Sequence, residues 1–231
     1  MIKTKLQQQT SSFSDSGFTI VESLMGASVL AIVLFATLPV LSLSTALRVQ
    51  SKRTELAAEA ANIFINSVRN NSITSPTRVI TLTLTNTTTN RRIEDNLIDT
   101  REMPVPTTTD TDLYLFNKSG TITPNCSLAS SLAICKPDNS NPFDEFYIQA
   151  AQVKVAGSKV TDGYLLAIRI YREDVDVAQT ILASSSASSR SGILADKQAP
   201  ILQTTVEISG STTTFQTLCS RVGLLNNQPC Q

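Results

Sequence analysis

From Ser16 to Leu47 the chain reads SGFTIVESLMGASVLAIVLFATLPVLSLSTAL, apolar throughout apart from hydroxyl residues and a single ionised side chain, Glu22. About 20 residues at 1.5 Å each cross a hydrocarbon core of about 30 Å, so this run predicts a membrane-spanning helix. Beyond Leu47 the apolar wall breaks up. Val49, Leu56, Ala60, Ile63, Phe64, Ser67 and Val68 recur at helical spacing, with Arg48, Lys52, Arg53, Glu55, Glu59 and Asn66 between them. The pattern predicts an amphipathic helix that continues the span, carries a modest Lys52–Glu55 pair, and ends at Asn70-Asn71 ahead of Ser75-Pro76. Together the two parts make a helix of about 50 residues, on the order of 75 Å. Gly26 and Pro39 are its expected weak points, since a proline inside a helix removes a hydrogen bond and bends it.

From Arg78 the period changes to two. Val79-Ile80-Thr81-Leu82-Thr83-Leu84-Thr85 alternates with threonine and predicts a half-buried strand; Leu113-Tyr114-Leu115-Phe116 predicts a short one. Between the helix and the first long strands lie about 60 irregular residues, longer than a typical connection. The best hairpin joins 146–156 to 163–171 through the Asp162-Gly163 turn. Residues 179–183 are a further candidate strand, 184–192 (SSSASSRSG) a loop by composition, and 202–208 the last strand. The fold class is α+β: an N-terminal helix packed on an antiparallel sheet.

Glu22 requires an explanation, because a carboxylate inside a span costs roughly 2.5–3.5 kcal/mol on insertion scales. It lies four residues after Phe18, which follows the small residue Gly17 and a short polar leader carrying Lys3 and Lys5. Cleavage after Gly17 would leave the α-amino group of Phe18 as a positive charge at the tip of the span. In a bundle of identical or related helices, that amine can neutralise Glu22 of a neighbour. The segment Gly17-Phe18-Thr19-Ile20-Val21-Glu22-Ser23-Leu24 resembles the class III leader junction of type IV pilins and pseudopilins. The resemblance implies that a prepilin peptidase cuts after Gly17 and N-methylates Phe18, that Glu22 guides packing into a filament, and that Pro39 marks a kink. It is specific from Ser16 to about Leu47 and weaker from there to about Arg69. The stretch Ala46-Leu47-Arg48-Val49-Gln50 through Glu55-Leu56-Ala57 also resembles the cyanobacterial pseudopilins of hormogonium polysaccharide secretion.

The resulting organisation is a leader at 1–17, a transmembrane and assembly helix at 18–47, an amphipathic helix at 48–72, and an exported β-rich domain with two disulfide loops at 73–231. The fold implied by the resemblance is pilin-like. The implied function is that of a minor pilin or pseudopilin: a non-catalytic subunit of a type IV pilus-like or secretion pseudopilus fibre, with polysaccharide secretion one possible service. Its implied partners are the prepilin peptidase, other pilin or pseudopilin subunits and an inner-membrane assembly platform. Two alternatives stay open. A secretory signal could be cut near Ser44-Thr45-Ala46, although the apolar run before it is too long. An uncut signal anchor could display a surface adhesin or ligand-binding module, which leaves Glu22 unexplained.

Composition narrows the picture. With 231 residues, the part beyond the helices suffices for one domain with a real core. Lys plus Arg equals Asp plus Glu at 19 each, so no global charge attracts nucleic acid. Cys126, Cys135, Cys219 and Cys230 all follow the span, which fits an oxidising compartment beyond the inner membrane. Four cysteines permit three pairings; the local pairs Cys126–Cys135 and Cys219–Cys230 are favoured because each closes a short loop. Zinc and free buried thiols are the alternatives, zinc being disfavoured by the wide cysteine spacing and the absence of histidine. The leader lysines do not outnumber Arg48, Lys52 and Arg53 beyond the span, so orientation rests on the cysteines and the leader junction.

The chain has no histidine, which removes the usual general base and every His-centred triad, and no GxxxxGK loop. An enzyme and a bound cofactor are therefore not expected. Asp138, Asn139, Asn141, Asp144 and Glu145, or Asp110 with Asp112, offer oxygens to calcium but lack the spacing and central glycine of a calcium loop. Solvated turns are the simpler reading, and no metal site is assigned. Arg91-Arg92, or Arg48 with Lys52 and Arg53, are short basic clusters on a neutral chain, and nucleic acid is not an expected partner.

Overall fold

The computed structural model describes residues 19–82, 103–117, 119–129, 135–136, 144–183 and 196–226. Gly17, Phe18, the tail of the first expected strand at 83–85, Arg91-Arg92, the acids and amides at 138–141, the loop at 184–192 and Cys230 lie outside them. The chain divides into two compact units, Met1–Thr45 and Ala46–Gln231.

Helix α1 runs over Ile20–Arg69, 50 residues, and contributes to both units. It starts at Thr19, whose Oγ1 accepts the backbone N–H of Glu22 at 3.3 Å, an N-cap that satisfies one of the four orphan donors. It stops at the expected place. Asn71 takes the left-handed conformation at φ 53°, the Asn71 N–H returns to Val68 O, and the Ser72 N–H to Ser67 O. Those two bonds form a Schellman motif, with asparagine where glycine is commoner.

In the second unit the strands are β1 (Val79–Leu82), β2 (Leu113–Phe116), β3 (Ile122–Cys126), β4 (Phe146–Val155), β5 (Tyr164–Arg172) and β6 (Leu202–Ile208), followed by α2 (Phe215–Asn226). The sheet order is β3-β2-β4-β5-β6, antiparallel throughout. β1 adds a parallel pairing the sequence pattern does not anticipate, Val79 to Gln152 through Leu82 to Val155. One edge of β4 is thus shared: β2 takes Phe146–Ile148 and β1 takes Gln152–Val155.

One face of the sheet holds Tyr114, Phe116, Phe146, Ile148, Ala150, Tyr164, Leu166, Ile168, Ile170 and Ile208. Ala57, Ala60, Ala61, Phe64, Ile65 and Val68 of α1 close it, the alanines letting the helix approach and Phe64 meeting Tyr114 edge-on at 4.8 Å. Each fully buried large apolar side chain here contributes about 1.5–3 kcal/mol. The helical face differs from expectation at two positions: Val49 is exposed, and Arg53 is buried.

The opposite face is also covered, so almost every residue of β4 and β5 is buried and the alternation seen in the sequence does not translate into a wet side. Met103 packs there with Ile80, Leu82, Ala151, Val153, Val155, Leu165 and Ala167; Cys126, Cys135, Val175 and Ile181 pack with Leu113, Leu115, Tyr147 and Tyr171. A polar row separates these two clusters. Gln149, Arg169 and Gln203 are consecutive register partners across β4, β5 and β6. Each donates to the carbonyl of a covering segment: Gln149 to Pro104 O at 2.7 Å, Arg169 to Met103 O at 2.5 Å, and Gln203 to Ala183 O.

Residues 179–183 are not a strand. Asp176 accepts the N–H of Ala178 on its side chain and that of Gln179 on its carbonyl, a local turn that competes with a ladder. β3 and α2 are elements the pattern misses. β3 contains Pro124 and a left-handed Asn125 at φ 59°, tolerated because it is an edge strand. α2 is capped by Thr214, whose Oγ1 accepts the Thr217 N–H at 3.2 Å. Arg221 fastens α2 to the hairpin, donating to Asp162 O at 2.6 Å and to Glu207 Oε1 at 2.8 Å.

Candidate functional site

Over Ile20–Thr37 α1 is apolar and exposed, long and apolar enough to cross a membrane, with 0% of that window buried within the protein. Leu24, Met25, Leu30, Ile32 and Phe35 all face outward. Two hydroxyls inside the run are satisfied locally, Ser28 Oγ donating to Met25 O at 2.8 Å and Thr37 Oγ1 to Leu34 O at 3.2 Å. That lowers the cost of placing those two hydroxyls in hydrocarbon and leaves the Glu22 carboxylate as the main polar cost.

Glu22 is exposed in the first turn of α1. Its spacing from Thr19 is that of a capping box, a signal readable in the sequence beside the charge. The cap bond, however, uses the backbone N–H of Glu22, which any non-proline residue supplies. A carboxylate near a helix N-terminus gains about 0.3–1 kcal/mol from the macrodipole, less than the roughly 2.5–3.5 kcal/mol cost of placing it in a span. Capping alone does not account for the acid. Gly26 and Pro39 both lie within α1, and a Cβ on Gly26 would meet nothing within 4 Å, so the protein's own packing does not demand glycine there.

Cys126 and Cys135 form a disulfide with a sequence separation of 9, beneath the sheet face turned away from α1. Cys219 is also disulfide-bonded. Arg78 takes both acids of one candidate calcium loop, Asp112 at 2.8 Å and Asp110 at 3.4 Å. The Asp112 hydrogen bond, followed by attraction to the two carboxylates, holds the Arg78 guanidinium above its ordinary value against the effect of burial. Among the described residues no group of three or more His, Cys, Asp or Glu is arranged for a metal. Lys52 pairs with Glu55 at 3.2 Å as expected, while the burial of Arg53 removes it from any phosphate-binding surface.

Two polar groupings escape sequence reasoning. The first is the Gln149–Arg169–Gln203 row, where burial lowers the Arg169 pKa. The second gathers Arg53, Glu145 and Glu173, all buried, at the end of the β4–β5 pair. Burial comes first among the causes that lower Arg53 and raise Glu173. The register of the hairpin is the signal that finds this group: Phe146 opposite Arg172 sets Glu145 across from Glu173.

No protein-family model, curated protein or solved structure matches the chain.

Proposed function

We propose that the protein is a pilin-like subunit, a minor pilin or pseudopilin, held in a membrane by α1 and drawn from it into a fibre of related helices. The observation that carries this reading is an exposed, membrane-length apolar helix with one carboxylate, Glu22, that its N-terminal cap does not require. Cleavage after Gly17 supplies the complementary charge, an α-amine on Phe18, and a bundle of helices replaces lipid while pairing each acid with a neighbouring amine. The α+β domain and its disulfides are suited to the outer, oxidising side of the inner membrane. The subunit is non-catalytic, its partners being the prepilin peptidase, related subunits and an assembly platform.

Mass spectrometry of the protein from its native cell tests this. The expected N-terminus is a methylated Phe18, and a bulky residue in place of Gly17 prevents its formation. An intact Met1 in the wild type sinks the proposal and leaves an uncut, membrane-anchored surface protein.

A further inference from the structure

Beyond Leu47, the face of α1 turned away from the sheet carries Arg48, Lys52, Glu55, Glu59, Asn62 and Asn66, all exposed. At 3.6 residues per turn the six lie within an arc of about 80°, opposite Ala57, Ala60, Phe64 and Val68, which pack on the sheet. Along its length the stripe is ordered by charge: two cations, two acids, two amides. Within one chain this order is little used. Lys52 and Glu55 pair at 3.2 Å, but their side chains are 61% and 70% exposed, so the pair is weak and readily exchanged. Arg48 and Glu59 form no ion pair among the described residues.

A second copy of the stripe is the partner whose charges fit. With two copies parallel and level, each charge meets its own kind, Arg48 on Arg48, Glu55 on Glu55 and Glu59 on Glu59. A stagger of four residues sets Arg48 against Lys52 and Glu55 against Glu59. A stagger of seven residues, about 10.5 Å along a helix, removes every like pair. Arg48 and Lys52 of one copy then face Glu55 and Glu59 of the other. The first copy's own Glu55 and Glu59 face the other's Asn62 and Asn66, whose amides can donate to carboxylates.

We propose that this stripe is a docking surface between copies of the chain, joining two parallel α1 helices at a stagger of seven residues. An antiparallel pairing, Arg48 to Glu59 and Lys52 to Glu55, also matches the charges, so the parallel choice rests on the fibre reading above: copies anchored in one membrane by the same end run parallel. Exposed ion pairs contribute little singly. The stripe therefore selects register among copies that the membrane already concentrates, chiefly by penalising the level alignment.

Disulfide cross-linking in the native cell tests the stagger. Two tagged copies of the full chain are co-expressed, one with Glu59→Cys and the other with Asn66→Cys, positions that the stagger sets opposite each other while both ion pairs stay intact. Oxidised membranes are expected to hold the mixed dimer at about fivefold or more over the Asn66→Cys self-dimer. Adding Arg48→Glu and Lys52→Glu to the first copy lowers the yield by a similar factor, as does adding Glu55→Lys and Glu59→Lys to the second. Combining the two reversed copies restores it, which misfolded variants cannot do. A mixed dimer no more abundant than the self-dimer overturns the proposal, and so does a yield indifferent to charge reversal. Mass spectrometry of the same material separates this from the fibre reading. A methylated Phe18 without the cross-link overturns the stripe alone; the cross-link on chains that keep Met1 upholds the stripe and overturns the fibre.

Discussion

Gln149 and Arg169 are register partners, and both reach across to one passing segment: Gln149 Nε2 donates to Pro104 O and Arg169 Nη1 to the preceding carbonyl, Met103 O. Arg169 is 2% exposed; its Nη1 donates to Met103 O and to Gln149 Oε1, which offsets part of the cost of burial, while its Nε is buried without a partner. The row holds down the chain that covers the far face of the sheet. Arg169→Ala leaves Met103 O without its donor and opens a cavity, and is expected to cost about 3 kcal/mol. Urea unfolding measures it; a change below about 0.5 kcal/mol would mean that the row does not hold the segment.

The Cys126–Cys135 bridge closes a short loop against Leu113, Leu115, Tyr147 and Tyr171. On the chain-entropy account a loop of this size stabilises by about 2–3 kcal/mol. The Cys126→Ser, Cys135→Ser double variant should lose that amount, read from its melting temperature without reductant beside the wild type.

Two glycines should behave differently. A Cβ on Gly210 would lie 2.0 Å from Thr161 O, where the chain after β6 crosses the turn before β5. Gly157 has open space around it, and only its φ of 86° resists a side chain. Gly157→Ala should cost about 1 kcal/mol, and Gly210→Ala distinctly more, with loss of the Arg221 contacts that fasten α2. Equal effects on thermal stability would remove the crossing from the account.

All four tyrosines resist ionisation. Burial pushes Tyr114 and Tyr147 up to about 12 and raises Tyr164 and Tyr171 as well. Because the folded values exceed the unfolded one, their contribution is complete below about pH 10 and is lost as pH rises through about 12. Ultraviolet titration should show little phenolate near pH 10.5 and then a cooperative rise coincident with unfolding. Smooth single-site titration with a midpoint of about 10 would contradict the burial of these rings.

Thr19 and Glu22 separate cap from charge. Thr19→Val removes the acceptor for the Glu22 N–H and should weaken the first turn of α1 by about 1 kcal/mol while leaving fibre entry intact. Glu22→Gln keeps the cap and removes the charge; it should still be processed and still reside in the membrane, yet enter fibres poorly. Immunoblots of sheared fibres and membranes distinguish the two, and equal fibre entry by wild type and Glu22→Gln would deny the carboxylate a part in assembly.

Elements with a clean period were legible in advance: α1 and its stop at Asn71, the β4–β5 hairpin, β2 and β6. The misses have identifiable causes. Pro124 disguises β3, because edge placement excuses a missing donor and sequence does not announce which strand is an edge. The cap and the apolar spacing of α2, Thr214 with Phe215, Leu218 and Val222, were present but short. Arg53, Gln149 and Arg169 were hidden for another reason. A polar residue in a periodic pattern reads as solvent-facing, and only the register and the second covering layer reveal that these three are buried.

The parallel seating of β1 sets an order of events. Gln152 donates to Pro76 O across 76 residues, and β1 lies beside it along the same stretch of β4. Closing so wide a loop pays its entropy before any contact rewards it. As the polypeptide emerges from its N-terminus, Ile80 and Leu82 must wait uncovered until the hairpin arrives, so the β4–β5 pair is the template and β1 the late arrival.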